Sequence, residues 1–378
     1  MIMNVQTLIH TRSSVMKMVV GSSAAVVIVL LSILPCAAGL LPYPYESPGP
    51  YFVRARFLSI PLDAANTTGQ TVIQGKIYYP ALNTPKPDNT STFYFPPDTS
   101  GAPYPVLILQ PGANTNLEQY SWLYEHICSY GYIVISFNEI AGGPSASNNN
   151  LEALVMSFSL NSANPTVKAV LKFLNKANTD NTYPNSFLLK GMIDTSRFAI
   201  GGHSYGGAIA LFSGKKSFYQ PDGNLMAVFT YGVNLFGSTE PITLYKPSID
   251  VPLLDMDGTK ATVGNGKDTT GAQRTETERC KLTFEQVIPG GNNNNYLLLV
   301  RNASHTDFAN SADPTVDRSW QEQQHNQNPL VLSNKAAQRI FKNYITAFLK
   351  TYVENNVEAK AVLEKAAHDW SIADFQTK

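Results

Sequence analysis

The residues Gly202-His203-Ser204-Tyr205-Gly206 fit the pattern G-x-S-x-G. Glycines on both sides of a serine allow a turn so tight that the central residue is held in a strained conformation with its hydroxyl presented outward. The preceding Arg197-Phe198-Ala199-Ile200 reads as a buried strand. The following Gly207-Ala208-Ile209-Ala210-Leu211 reads as a helix whose small residues pack closely on a sheet. A helix start beside the hydroxyl adds a positive dipole end and backbone N–H groups, both favourable to a developing oxyanion. The chemistry on offer is nucleophilic attack by Ser204, against the plainer reading of a glycine-rich turn.

A serine needs a base within hydrogen-bond reach, usually a histidine oriented by a carboxylate. Where the nucleophile sits on a strand–turn–helix, the chain order is serine, acid, histidine. Downstream of Ser204 lie His305, His325 and His368. His305 follows the apolar run Tyr296-Leu297-Leu298-Leu299-Val300 by five residues, which predicts a loop beyond a strand's carboxyl end. His325, in a Gln/Asn-rich stretch, and His368, in a polar tail, read as surface residues. For the acid, Asp257 is chosen because it ends the strand Val251 to Met256, although Asp257-Gly258 is equally a turn signal. Asp255 would project from inside that strand, where an unpaired carboxylate is costly; Asp268 and Glu240 are outside candidates. The oxyanion donors expected are the backbone N–H groups of Tyr205 and of Ala113, the latter following Pro105 to Leu109 and the turn Pro111-Gly112.

Other chemistries fit poorly. Gly264-Asn265-Gly266-Lys267 resembles a phosphate loop only superficially, since Ala261 and Asp268 stand where a glycine and a Ser or Thr are required. H-E-x-x-H, C-x-x-C and a dinucleotide fingerprint after the first parallel strand are absent from the sequence, so no metal and no organic cofactor is inferred.

The elements that must position these residues follow from the apolar pattern. Tyr51 to Pro61 and Thr71 to Tyr79 predict opening antiparallel strands, and 82–104 a Pro/Asn/Thr/Ser-rich loop. Strand runs at Pro105 to Leu109, Tyr132 to Phe137, 197–200, Leu225 to Tyr231, Val251 to Met256 and Tyr296 to Val300 interleave with helical spacings. The helices are Leu117 to Tyr130, Pro165 to Lys176 and Asn334 to Tyr352. This predicts an α/β fold: a mostly parallel central sheet covered by helices on both faces, with ligands at the strands' carboxyl ends. With 378 residues, 43 % hydrophobic content and formal net charge zero, the chain can bury one large core and shows no electrostatic footprint for nucleic acid.

Residues 1–38 read as a secretory signal, with basic Arg12 and Lys17, an apolar Val19 to Leu34, and small residues before Gly39. An uncleaved signal anchor is the alternative. The domain expected is 39–354, with 355–378 a helical or polar tail. Sequons start at Asn66, Asn89 and Asn302. Loss of the signal leaves Cys128 and Cys280, either a disulfide or two separate buried thiols. Gly142-Gly143 and the polar run after it make 140–165 a candidate lid.

Taken together the chain resembles the α/β-hydrolase superfamily, in the branch holding chlorophyllases, bacterial cutinase-like polyester hydrolases and platelet-activating-factor acetylhydrolases. The likeness rests on Gly75-Lys76-Ile77-Tyr78-Tyr79-Pro80, on 105–114, on Ser129-Tyr130-Gly131-Tyr132-Ile133-Val134-Ile135, on Ile193 through Gly207 and on Ala303-Ser304-His305. Tyr245-Lys246-Pro247 is closer to chlorophyllases, and Tyr296 to His305 to polyester hydrolases. In the polyester hydrolases the acid follows the strand matching 251–256, and a gap-free reading puts Ala261 near that place. In chlorophyllases it follows the preceding strand, here Thr230-Tyr231-Gly232-Val233-Asn234, which has no carboxylate. The resemblance therefore leaves the acid open.

It implies hydrolysis of a bulky hydrophobic carboxylic ester through an acyl-serine, with Tyr205, Phe137 and Tyr231 available to line the site. The phytyl ester of chlorophyll is the first substrate choice, and a polymeric or lipid ester, including one at a membrane surface, the alternative. A monomer is expected, in the secretory pathway and outside the cell, or in a plastid reached through the endoplasmic reticulum. A protein that kept the fold but lost catalysis is the rival from a different class.

Overall fold

In the computed structural model the described residues are 43–62, 71–84, 86–87, 93–112, 115–137, 165–235, 247–263, 265–267, 271–291, 294–309 and 331–378. The signal region, the sequons at Asn66 and Asn89, all of 140–164, and Ala113, Glu240, Asp268 and His325 lie outside them.

Nine strands form the central sheet: β1 (Phe52–Pro61), β2 (Val72–Ala81), β3 (Tyr104–Gln110), β4 (Ile133–Phe137), β5 (Ile193–His203), β6 (Leu225–Tyr231), β7 (Leu253–Gly258), β8 (Asn295–Val300) and β9 (Ile372–Thr377). Their spatial order is β1-β2-β4-β3-β5-β6-β7-β8-β9. The run from β4 to β8 is parallel throughout, while β1, β2 and β9 join it antiparallel. Every residue of β3, β4, β7 and β8 is buried, as continuous apolar runs require when helices cover both faces.

The sheet divides two hydrophobic cores. One holds residues of α1 (Ser121–Ser129) and the long helix Asn334–Val353; the other holds those of α2 (Pro165–Thr179) and α3 (Tyr205–Phe212). Pro165 opens α2, where its missing N–H costs nothing, and Val167, Val170, Leu171 and Leu174 form its buried face. The Asn334–Val353 helix buries Ala337, Phe341, Tyr344 and Phe348, with Tyr352 half-buried.

The structure corrects several expectations. The region 355–378, expected as a helical or polar tail, does hold a helix, Val357–Glu364, but this leads into β9, which pairs with β8 from Tyr296↔Thr377 to Val300↔Ile372. The Tyr344 hydroxyl also donates to Asp369 Oδ2 at 2.7 Å. A short edge strand buried on one side carries too little apolar signal to be seen in advance. His368 is exposed, as expected. The strand predicted at 197–200 extends over 193–203, with a register irregularity between Phe198 and Ala199. The 117–130 helix divides into a 3₁₀ turn, Leu117–Tyr120, and α1.

Cys128 and Cys280 are free and buried. They belong to the two different cores, so the sheet stands between them and excludes a bridge. No helix among the described residues is long and apolar enough to cross a membrane.

Candidate active site

Parallel strands deliver their carboxyl ends to one edge, and there β5 ends at His203. Ser204 follows with φ 53° and ψ −118°, and α3 starts at Tyr205. A positive φ at a non-glycine residue costs on the order of 1–3 kcal/mol and persists only where the surroundings impose it. Here they do. The Ser204 N–H donates to the Tyr231 carbonyl at 2.8 Å, and the Ser204 carbonyl accepts from Ala208 N at 3.0 Å. A Cβ at Gly202 would lie 2.2 Å from the Gly206 carbonyl oxygen; one at Gly206 would lie 2.3 Å from those of Gln110 and Pro111. Both glycines are therefore demanded by backbone crossing backbone.

His305 opens a short 3₁₀ turn, His305–Phe308, beyond β8. Hydrogen bonds from several elements hold this loop. Ser304 N donates to Asp307 Oδ2 at 2.7 Å, and the Tyr231 hydroxyl donates to the Ser304 carbonyl at 2.7 Å. His203 Nε2 bonds the His305 carbonyl at 2.9 Å, and Trp122 Nε1 donates to the Phe308 carbonyl at 3.0 Å. The imidazole lies over Gly232, where a Cβ would come within 2.7 Å of Nδ1. The residue before Gly232 is Tyr231, whose carbonyl holds the Ser204 N–H, and the rings of His203 and His305 are 4.7 Å apart. The serine turn and the histidine loop thus share the same supports.

The carboxylate that faces His305 is not the one expected from the sequence. His305 Nδ1 bonds Glu276 Oε1, not Asp257. Glu276 is the first residue of α4 (Glu276–Leu282), whose start is fixed by a capping box between Thr275 and Glu278. Glu276 N donates to Asn265 Oδ1 at 2.7 Å, and Thr277 Oγ1 to the Gly258 carbonyl at 2.9 Å, which seats α4 on the end of β7. With Nδ1 facing a carboxylate, Nε2 is left as the proton acceptor. The capping box in Thr275-Glu276-Thr277-Glu278 was the available signal, because it marks a helix start after β7.

Asp257 is fully buried beside this pair. Its Oδ1 accepts from Gly258 N at 2.8 Å, and its Oδ2 has no partner. Burial, then the charge of Glu276, raises its pKa well above the usual carboxylate range. One atom from each of Asp257, Glu276 and His305 lies within 4.8 Å of the others, the one such potential metal-ligand set among the described residues. A cation there would have to displace the Nδ1 proton and break the His305–Glu276 bond.

Asp255 is buried but paired. Thr230 Oγ1 donates to its Oδ1 at 2.6 Å, and Cys280 Sγ to its Oδ2 at 3.8 Å. Burial outweighs these bonds and lifts its pKa from 3.8 to about 7. Between those values the folded protein keeps a proton that the unfolded chain releases, so stability falls as pH rises toward 7. A shift of this size is worth about 4 kcal/mol across the interval. Asp255→Asn keeps an acceptor for Thr230 and removes the titration. Calorimetry at pH 4.5 and pH 8 should show the variant gaining stability on the wild type by that order at the higher pH.

Of the two residues expected as oxyanion donors, Tyr205 begins α3; Ala113 lies outside the described residues. Tyr231 and Phe137, expected to line the site, belong to the cores. Tyr231 is fully buried and stacked on Phe308 with centroids 4.9 Å apart. Tyr205 is also buried. The sequon at Asn302 has a structural role: Asn302 adopts φ 59°, which asparagine tolerates, and its N–H donates to Thr259 Oγ1 at 2.8 Å. The chain matches no protein-family model and no curated protein.

Proposed function

We propose that the chain is a serine carboxylic ester hydrolase built on an α/β-hydrolase fold. The single observation that carries this reading is the positive-φ conformation of Ser204 at the carboxyl end of a central parallel strand, immediately before a helix. Such strain is worth its cost where it presents a hydroxyl to a substrate. In this reading Ser204 attacks the ester carbonyl and His305 Nε2 takes the hydroxyl proton, later returning it to the leaving alcohol. Glu276 holds the ring's tautomer and stabilises the imidazolium. The N–H groups of Tyr205 and Ala113 hold the tetrahedral oxyanion. Water then hydrolyses the acyl-serine by the same steps. No metal or organic cofactor enters the mechanism.

The bond between His305 and Glu276 speaks against a fold-only binding protein, a rival motivated by the missing acid. The substrate class follows from the family resemblance: a bulky hydrophobic ester, with chlorophyll's phytyl ester first and a polymeric or lipid ester second. Action in the secretory pathway follows from residues 1–38.

A fluorophosphonate probe should add one phosphonyl group per chain, and peptide mass spectrometry should place it on Ser204. Folded protein that stays unmodified, or is modified elsewhere, overturns the reading. Turnover of chlorophyll compared with short-acyl nitrophenyl esters then distinguishes the two substrate choices.

A further inference from the structure

The middle residue His203 of the serine motif has a buried ring among Tyr120, Tyr231 and Phe308, with centroids 5.7, 5.9 and 5.5 Å away. An apolar side chain would fill that space at less cost, since an imidazole buried there must find partners. It finds two. Nε2 is 2.9 Å from the His305 carbonyl oxygen and Nδ1 is 2.9 Å from the Tyr120 hydroxyl.

The protons on this chain can be assigned. A carbonyl oxygen only accepts, so Nε2 carries a hydrogen. Burial first, and the neighbouring His305 second, hold the His203 pKa well below its ordinary value, so the ring is neutral and Nδ1 is bare. Nδ1 therefore accepts from Tyr120. With its proton committed, the Tyr120 oxygen accepts from the Gly112 N–H at 2.9 Å. Thr115 clamps the other end of the same turn, its hydroxyl donating to the Gly112 carbonyl at 2.5 Å while lying 3.0 Å from the Tyr120 oxygen. A Cβ at Gly112 would crowd this junction, meeting His203 Nδ1 at 3.1 Å and the Tyr120 oxygen at 3.2 Å.

We propose that Tyr120 and His203 are positioning residues. The directed chain Gly112 N–H to Tyr120 O–H to His203, and His203 Nε2–H to the His305 carbonyl, sets the oxyanion turn, the serine turn and the base loop relative to one another. These three loops follow β3, β5 and β8, and two further strands separate β5 from β8. Sheet pairing alone leaves the loops independent. This positioning role rests on the hydrolase reading above.

The test is Tyr120→Phe, which removes one oxygen and keeps the ring. For hydrolysis of a short-acyl nitrophenyl ester, kcat should fall about 10- to 100-fold, up to the lower end of the roughly 10²- to 10³-fold loss for a missing oxyanion donor, with KM within about twofold. Fluorophosphonate modification of Ser204 should slow by the same factor as kcat, with the near-ultraviolet circular dichroism unchanged. His203→Gln, whose amide can still donate to the His305 carbonyl, should retain more activity than His203→Leu, and this pair decides the matter if Tyr120→Phe does not fold. A Tyr120→Phe enzyme with kcat within twofold of the wild type, or equal activity of His203→Gln and His203→Leu, overturns the positioning role alone. A wild type that is itself unreactive to the probe overturns the hydrolase reading and this proposal together.

Discussion

Ser204→Ala should fold, yet lose about 10⁶-fold in kcat toward an activated ester, because serine, histidine and acid act as a unit and removal of the nucleophile leaves only binding and the oxyanion donors. The comparison is made on protein of equal circular dichroism, with activity and phosphonate modification read together. Retention of either within tenfold of the wild type would exclude Ser204 as the nucleophile. Ser204→Gly should be just as inactive but more stable by about 1 kcal/mol, since φ 53° strains serine and not glycine. Urea unfolding of the two variants measures that difference, and it reads the strain independently of any substrate.

The second large effect separates two neighbouring carboxyls. Glu276→Gln preserves the shape of the group bonded to His305 Nδ1 but no longer stabilises the imidazolium, and its amide can impose the wrong ring tautomer; kcat should fall about 10⁴-fold. Asp257→Asn, by contrast, changes a carboxyl whose hydrogen bond runs to Gly258 N and not to His305, so kcat should stay within about tenfold. Steady-state kinetics on both variants give the order directly. The reverse order would mean that His305 turns to Asp257 during turnover and that Glu276 is only its neighbour.

That pair also shows where reading the chain alone stops. Asp257 was the reasonable choice because it ends an apolar strand, and strand ends are local: a run of alternating or continuous apolar residues announces them. Glu276 reaches His305 from the start of a helix placed well beyond that strand, after intervening loop and hairpin residues. Its position depends on Thr277 bonding the Gly258 carbonyl and on the capping box that starts α4 where it does. Nothing in the spacing from Asp257 encodes that contact. The edge strand β9 was missed for the opposite reason, too little signal, since Ile372–Thr377 is buried along only part of its length. The disulfide question needed the sheet itself, which puts Cys128 and Cys280 in separate cores.

From the amino-acid order alone came the alternation of strands and helices, the tight glycine-flanked serine turn and the placement of His305 in a loop just past a strand end. Each depends on contacts between residues near in sequence, where periodicity, glycine and chain direction are enough. Tertiary structure decided which carboxylate faces the imidazole, how Tyr120 and His203 join three loops, and that the final residues complete the sheet. Those are contacts between segments remote in the chain, made specific by burial: a polar group removed from water must bond whatever the packed fold brings within reach.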